Sequence, residues 1–93
     1  MDTGLMPSRT KILIKGWSSD VMEEDVIDAL ALYGELQDIF IPRDAKTQKA
    51  QSVGWVDFRH PEDAQAFMSR DEEVFVLDCA IHSEWWAPSE VTA

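Results

Sequence analysis

The stretch QSVGWVDF, residues 51–58, decides the fold that this sequence predicts. Its residues alternate in the manner of a β-strand with one face turned to the protein interior. Val56 and Phe58 have the parity of the inner face, whereas Val53 and Trp55 fall on the opposite face. A tryptophan on the outer face predicts that this side of the sheet is either covered by another segment or used in function.

A second strand precedes it in KILIKG, residues 11–16, where Ile12 and Ile14 share one face and Gly16 ends the run. The opposite face of this strand carries the residues Lys11, Leu13 and Lys15. A third strand is predicted in LQDIFIP, residues 36–42, which Pro42 closes. By the same parity, Phe40 falls on the face that carries Trp55.

Two helices are indicated by the spacing of apolar residues. The first spans residues 22–33, with Asp20 placed as its cap, Glu23 completing a capping box and Gly34 ending it. The second begins at Pro61, a favoured residue for the first turn of a helix. A last strand is predicted over residues 80–86.

The element order is therefore strand, helix, strand, strand, helix, strand. This order predicts an α+β, ferredoxin-like βαββαβ sandwich in which two helices cover one face of a four-stranded antiparallel sheet. We call the uncovered side the open face. The domain is expected over residues 10–87, between a flexible N-terminal segment, residues 1–9, and a flexible tail, residues 88–93.

Length and composition restrict the function further. Ninety-three residues with 45% hydrophobic side chains suit one small domain. No apolar run approaches the length of a membrane span, so no membrane association is expected. The single cysteine, Cys79, cannot form an internal disulfide, which favours a reducing, intracellular compartment. A net charge of −10 would repel polyanions unless the cations are gathered on one side.

Catalytic and metal-binding arrangements are not indicated. Cys79, His60 and His82 show no spacing that pairs a nucleophile with a base, and His82 alone is best interpreted as a surface residue of the sheet. The two histidines are weak evidence for a metal site. We therefore expect no enzyme activity, no cofactor, no metal and no small-molecule substrate.

Two motifs carry a resemblance to a known family. ILIKGW, residues 12–17, resembles the shorter RNP hexapeptide of RNA recognition motif domains, and QSVGWVDF resembles their RNP octapeptide. The resemblance implies binding of single-stranded RNA in RNA processing, in the nucleus or the cytoplasm. In the family, three positions of these motifs stack on bases; here they are Leu13, Val53 and Trp55. Gln51 stands where the octapeptide usually begins with a basic residue.

The RNA-binding residues are expected on the open face and in the loop that follows Phe40. Trp55 and Phe40 would stack on bases, and the cations would contact or steer phosphates. The basic residues gathered on this side would make the charge distribution bipolar. The candidate residues are Lys11, Leu13, Lys15, Phe40, Arg43, Lys46, Lys49, Gln51, Val53, Trp55 and His82.

A protein-binding role is the alternative. Some members of the family lose the exposed aromatic residues and hold another protein with the sheet or the helices. The acidic first helix and the two aliphatic residues at stacking positions suit that role, and tryptophan is a common anchor of protein interfaces. A partner protein in a ribonucleoprotein complex is thus the second expectation.

Overall fold

The computed structural model describes residues 9–86. Apart from Arg9, the predicted flexible segments lie outside the described residues. The elements are β1 (Lys11–Lys15), α1 (Glu23–Leu30), β2 (Leu36–Phe40), β3 (Val53–Phe58), α2 (Pro61–Met68), β4 (Phe75–Val76), β5 (Cys79–Ala80) and β6 (His82–Trp85). The predicted ferredoxin-like sandwich is confirmed.

The main sheet has the strand order β2-β3-β1-β6, and its three neighbouring pairs are antiparallel. Because β1 and β3 are the central strands, the two RNP-like motifs lie side by side. Their register aligns Leu13 with Trp55 and Lys11 with Asp57. On the other side of β3, Phe40 lies opposite Trp55, and Asp38 lies opposite Asp57.

The core lies between the inner face of the sheet and the two helices. β1 and β3 alternate in burial along their length, as their sequences predict. The largest fully buried side chains include Phe58 of β3 and Phe67 of α2, whose rings lie 5.7 Å apart. The remaining fully buried side chains of this set are Ile12, Ile14, Leu30, Val21, Val26, Val56 and Val76.

The start of α1 differs from the prediction. Asp20 does not cap the helix; its carboxylate binds the Lys49 ammonium, 2.9 Å away. Met22 occupies the cap position, and the Asp25 carboxylate accepts a hydrogen bond from its backbone N–H at 2.9 Å. The prediction chose the wrong capping carboxylate. Asp20 lies just before the apolar pattern of the helix and Asp25 lies in its first turn, and local spacing alone does not show which of the two caps the helix.

The last predicted strand is also shorter than expected. Residues 79–80 belong to a separate two-stranded hairpin, β4–β5, and only β6 joins the main sheet. Leu77 and Asp78 form the hairpin turn with φ angles of 51° and 68°. Two-residue hairpin turns of this kind favour glycine or asparagine, so the sequence carried little signal for the hairpin.

Candidate functional site

Three aromatic side chains extend across the open face. The Phe40 and Trp55 rings are 5.8 Å apart between centroids, and the Trp55 and Trp86 rings are 6.5 Å apart. Phe40 is 50% exposed, and Trp55 is partly exposed between its two aromatic neighbours. We call Phe40, Trp55 and Trp86 the aromatic set. Adjacent, partly exposed rings of this kind provide planar surfaces on which bases can stack.

Gly54 and Trp17 hold the central part of this face in place. Trp17 is 2% exposed and lies on the core side, where its indole Nε1–H donates to the Gln51 carbonyl at 2.7 Å. A Cβ atom at Gly54 would lie 2.7 Å from the Trp17 ring and 2.4 Å from the Phe40 carbonyl oxygen. The absence of a side chain at Gly54 therefore lets β2 and Trp17 approach β3 closely, next to Trp55.

Lys11 is placed among the aromatic side chains. Its ammonium lies 4.2 Å from the centroid of the Trp55 ring and 5.4 Å from that of Trp86. The Trp86 backbone N–H donates to the Lys11 carbonyl at 3.1 Å, which fixes the end of the described chain beside β1. Lys11 thus brings a positive charge to the centre of the aromatic set.

Two other predicted RNA-contacting lysines are ion-paired. The Lys15 ammonium lies 3.3 Å from the Glu84 carboxylate on the neighbouring strand β6, and Lys49 pairs with Asp20. Lys46 lies exposed in the loop, without an ion pair to any residue from 9 to 86. The positive potential of this side is therefore weaker than the count of basic residues suggested.

Arg43 is directed toward the start of α1. Its guanidinium donates to the Val21 carbonyl at 3.0 Å and lies 3.3 Å from the Glu23 carboxylate. A further, longer hydrogen bond of 3.4 Å reaches the Gln48 carbonyl. These contacts join the β2–β3 loop to α1, so the structure does not bring the Arg43 guanidinium together with the aromatic set.

The remaining predicted residues are spread over the open face and its edge. Leu13 lies between Trp55 and Glu84 in the register, and Val53 lies opposite Lys15. His82 also lies opposite Lys15, on β6, and is exposed. Gln51 precedes β3 and is exposed, while its carbonyl is used by Trp17.

Carboxylates share the open face with the aromatic set. Asp38 and Asp57 are directly paired across β2 and β3, although like charges in that position destabilise a sheet. Asp57 Oδ1 is shielded from solvent and receives no hydrogen bond from the described part of the chain. Lys11, the residue opposite Asp57 on β1, directs its ammonium to the tryptophan rings. The face therefore presents both charges close to its aromatic surface.

Two side chains with a shifted pKa, Tyr33 and Glu72, lie away from this face. Tyr33 donates a hydrogen bond to the Glu72 carboxylate. This bond lowers the pKa of Glu72 below its ordinary value of 4.5 and raises the pKa of Tyr33 above its ordinary value of 10.0. The Tyr33 ring packs edge-on against Phe67, on the helical side. In residues 9–86 no group of three or more histidine, cysteine or acidic side chains has the geometry of a metal site.

The predicted RNA-binding residues do not include Trp86, which the sequence associates with this face only in the protein-binding alternative. Its position immediately after the last strand, next to Trp85, was the available signal. The two tryptophans separate in the structure: Trp85 packs against the core, whereas Trp86 contacts Trp55. Alternation along the strand distinguishes them, because adjacent residues of an extended chain point to opposite faces.

None of the described helices has the length and apolarity required to cross a membrane.

Comparison with protein families gives one match that covers most of the chain. The family model of the RNA recognition motif matches residues 12–82, from the first strand into β6. The match includes both RNP-like motifs and both helices.

Curated relatives share part of the sequence. The serine/arginine-rich SC35-like splicing factor SCL28 of Arabidopsis thaliana is 34% identical over 59 residues, which cover 63% of this chain and 25% of the relative. Multiple RNA-binding domain-containing protein 1 of Candida albicans is 32% identical over 66 residues, or 70% of this chain and 8% of the relative. The chain thus spans a quarter or less of the length of these relatives.

Solved structures have the same fold. The RNA-binding domain of Hrp1, determined in complex with RNA, superposes with a TM-score of 0.76 at 19% identity, over 89% of this chain and 48% of that one. The RNA15 RRM gives a TM-score of 0.74 at 13% identity, over 91% and 98% of the two chains. At these identities the likeness concerns the fold.

Proposed function

The chain belongs to the RNA recognition motif family, and from that premise we propose that its open face binds single-stranded RNA without catalysing a reaction. The observation that carries the proposal is the aromatic set around Lys11, on the face that the helices leave uncovered. Trp55 and Phe40 stack on successive bases. The Lys11 ammonium, which lies over the Trp55 ring in the free protein, moves aside and supplies the adjacent positive charge. The role in the cell is RNA processing, as in the splicing-factor relatives.

The energetics favour weak to moderate affinity. Stacking of a base on an aromatic side chain contributes about 1–3 kcal/mol, and the open face offers two predicted platforms and Trp86 beside them. The electrostatic contribution is smaller than in a strongly basic domain, because Lys15 and Lys49 are paired with carboxylates. Lys11 lies among the aromatic rings and Lys46 has no ion pair among residues 9–86, so we expect these two cations to contact phosphate.

The test is a binding titration of labelled single-stranded RNA with the wild type and Trp55→Ala. Loss of one stack of about 1–3 kcal/mol lowers affinity by roughly 5- to 150-fold. Phe75→Ala is the matched control, because Phe75 is an exposed aromatic residue on the separate hairpin β4–β5. Amide spectra of both variants report whether the fold is retained.

The expected result is a large loss for Trp55→Ala and an unchanged affinity for Phe75→Ala. Equal affinities for the wild type and a folded Trp55→Ala variant would remove the stacking role. Absence of RNA binding by the wild type at low salt would refute the proposed function itself.

A protein-binding function on α1 is the second candidate. The helix exposes Ile27, and the following turn exposes Leu32, which is 90% exposed, beside acidic residues such as Glu24 and Asp28. Exposed apolar residues within an acidic surface suit a basic, partly apolar peptide. A partner that binds through this surface is expected to be lost with Ile27→Glu and retained with Trp55→Ala. The reverse pattern would place the partner on the open face.

A further inference from the structure

We propose that the open face selects guanine at the base that stacks on Trp55, through the polar row Asp38, Asp57 and Lys11. This inference rests on the proposed function, because it assigns the base preference of the same RNA-binding surface. The three residues are consecutive across β2, β3 and β1 at one level of the sheet. We call them the polar row.

The polar row lies next to the stacking platforms. Phe40 and Trp55 face each other one level along the same two strands, two residues from Asp38 and Asp57 respectively. Two residues of a strand span about 6.6 Å, so a base stacked on either ring extends its edge over the carboxylates. Lys11 reaches back over the Trp55 ring, to 4.2 Å from its centroid.

The carboxylates have unused hydrogen-bonding capacity. One oxygen of Asp38 accepts the Ile39 backbone N–H at 2.9 Å, which orients that carboxylate. Asp57 Oδ1 is shielded from solvent and has no donor among residues 9–86. A shielded carboxylate oxygen without a donor destabilises the free protein, and so does the Asp38–Asp57 pairing. Both costs fall when the Asp57 carboxylate turns toward a ligand and accepts a hydrogen bond from an uncharged donor.

The order of donors and acceptors fits guanine. Across the sheet the residues of the polar row are an acceptor, an acceptor and a donor, because carboxylates only accept and ammonium only donates. The Lys11 ammonium lies over the Trp55 ring and turns away from it when a base stacks there. The Watson–Crick edge of guanine offers the complementary series: the N2 amino group, the N1–H and the O6 acceptor. Adenine and cytosine each present one donor group beside acceptors, and uracil places its N3–H between two carbonyls, which a carboxylate repels. Such edge contacts are how the family of single-strand binders reads unpaired bases.

The experiment measures affinity for short uridine-rich RNAs that differ only in one central base. Wild type is expected to bind the guanine RNA at least about tenfold more tightly than the all-uridine RNA, the range of one good two-bond contact. Inosine, which lacks the N2 amino group, is expected to fall between them. Asp57→Asn is expected to abolish the preference, and Asp38→Asn to reduce it.

Glu84→Gln is the matched control. Glu84 is another carboxylate of the open face, but it pairs with Lys15 and lies outside the polar row. Asp57→Asn and Glu84→Gln each remove one negative charge from the face, so the general electrostatic gain in affinity is the same for both. Of these two variants, only Asp57→Asn is expected to change the ratio between the affinities for the guanine and the all-uridine RNA.

The outcomes separate the two proposals. Binding of all RNAs with equal affinity, or a guanine preference that survives in both aspartate variants, overturns the base selection and leaves the proposed function in place. Wild-type protein that binds none of the RNAs overturns both. If Asp57→Asn fails to fold, the Asp38→Asn ratio and the inosine comparison decide the question.

Discussion

The Lys11 ammonium lies 4.2 Å from the centre of the Trp55 ring, although the residue directly opposite Lys11 on β3 is Asp57. The lysine therefore makes a cation–π contact with Trp55, and a second with Trp86, in place of a cross-strand ion pair. This arrangement holds the aromatic rings together and leaves the Asp57 carboxylate without an ion pair to any residue from 9 to 86. Because Lys11 contacts the tryptophan rings and not Asp57, the open face presents a cation on its aromatic surface and a carboxylate beside it.

Replacement of Lys11 by methionine tests the contribution of these contacts to stability. Methionine keeps the apolar stem but removes the charge, so the variant is expected to lose about 0.5–1 kcal/mol of unfolding free energy in a urea titration. Lys46→Met is the control, because Lys46 is exposed in the loop and has no ring contact among the described residues. Equal stabilities of the two variants would show that the ring contacts contribute nothing measurable.

The Lys15–Glu84 pair predicts a specific salt dependence. Glu84→Gln releases the Lys15 ammonium, which then becomes available to a phosphate of bound RNA. We expect tighter binding and a slope of log affinity against log salt that is steeper by about 0.7 for one added phosphate contact on a single strand. The measurement is a series of titrations at increasing salt. An unchanged slope would mean that Lys15 does not reach a phosphate even when it is unpaired.

Gly54 predicts a packing defect when it is enlarged. The Cβ atom of Gly54→Ala would lie 2.4 Å from the Phe40 carbonyl oxygen, and backbone atoms of a paired strand cannot move aside independently. Overpacking of this kind lowers the free energy of unfolding by about 1–3 kcal/mol, and a urea titration measures it. Ser52→Ala, at an exposed neighbouring position, is the control and is expected to stay close to wild type. Wild-type stability of Gly54→Ala would show that Trp17 and β2 can shift without cost.

The alternation of residues 51–58 was enough to predict the face of Trp55, and the order of the six predicted elements was enough to predict the fold. Period-two patterns specify which side of a strand is buried, and β1 and β3 follow theirs without a break. The same rule placed Phe40 on the open face, where it meets Trp55. These predictions succeeded because the alternation of buried and exposed side chains depends only on residues adjacent in the sequence. Strand pairing then places the exposed sides of the strands on the same face of the sheet.

The partners of the charged side chains were beyond the reach of the sequence. Arg43 was predicted to contact RNA, yet its guanidinium binds the Val21 carbonyl and Glu23, residues about twenty positions earlier. Lys49 likewise meets Asp20. Long flexible side chains can pair with any of several carboxylates, and only the tertiary structure determines which carboxylate lies within reach. The count of basic residues therefore overestimated the positive charge that is free of ion pairs.

The hydrogen bond between Tyr33 and Glu72 predicts how stability varies with pH. The bond lowers the pKa of Glu72 below its ordinary value of 4.5, so its stabilising contribution is complete above that value and is lost as the pH falls through the lowered pKa. The same bond raises the pKa of Tyr33 above 10.0, so that contribution is complete below 10.0 and is lost as the pH rises through the raised pKa. The bond therefore stabilises the fold most between these limits.

Tyr33→Phe isolates this bond, because phenylalanine keeps the ring that packs edge-on against Phe67. The wild type is expected to unfold at a higher temperature than the variant between about pH 5 and 9. In that range Glu72 is mostly ionised and Tyr33 is mostly protonated, so the hydrogen bond is intact. The difference should shrink at acid pH, as Glu72 becomes protonated, and again in strong alkali. Glu72→Gln provides the control, since it removes the carboxylate that titrates. Its melting temperature should therefore lack the part of the acid dependence that comes from protonation of Glu72, as that of Tyr33→Phe should. A melting-temperature difference that stays constant from neutral pH into the acid range would mean that the Tyr33 hydroxyl stabilises the fold independently of the charge on Glu72.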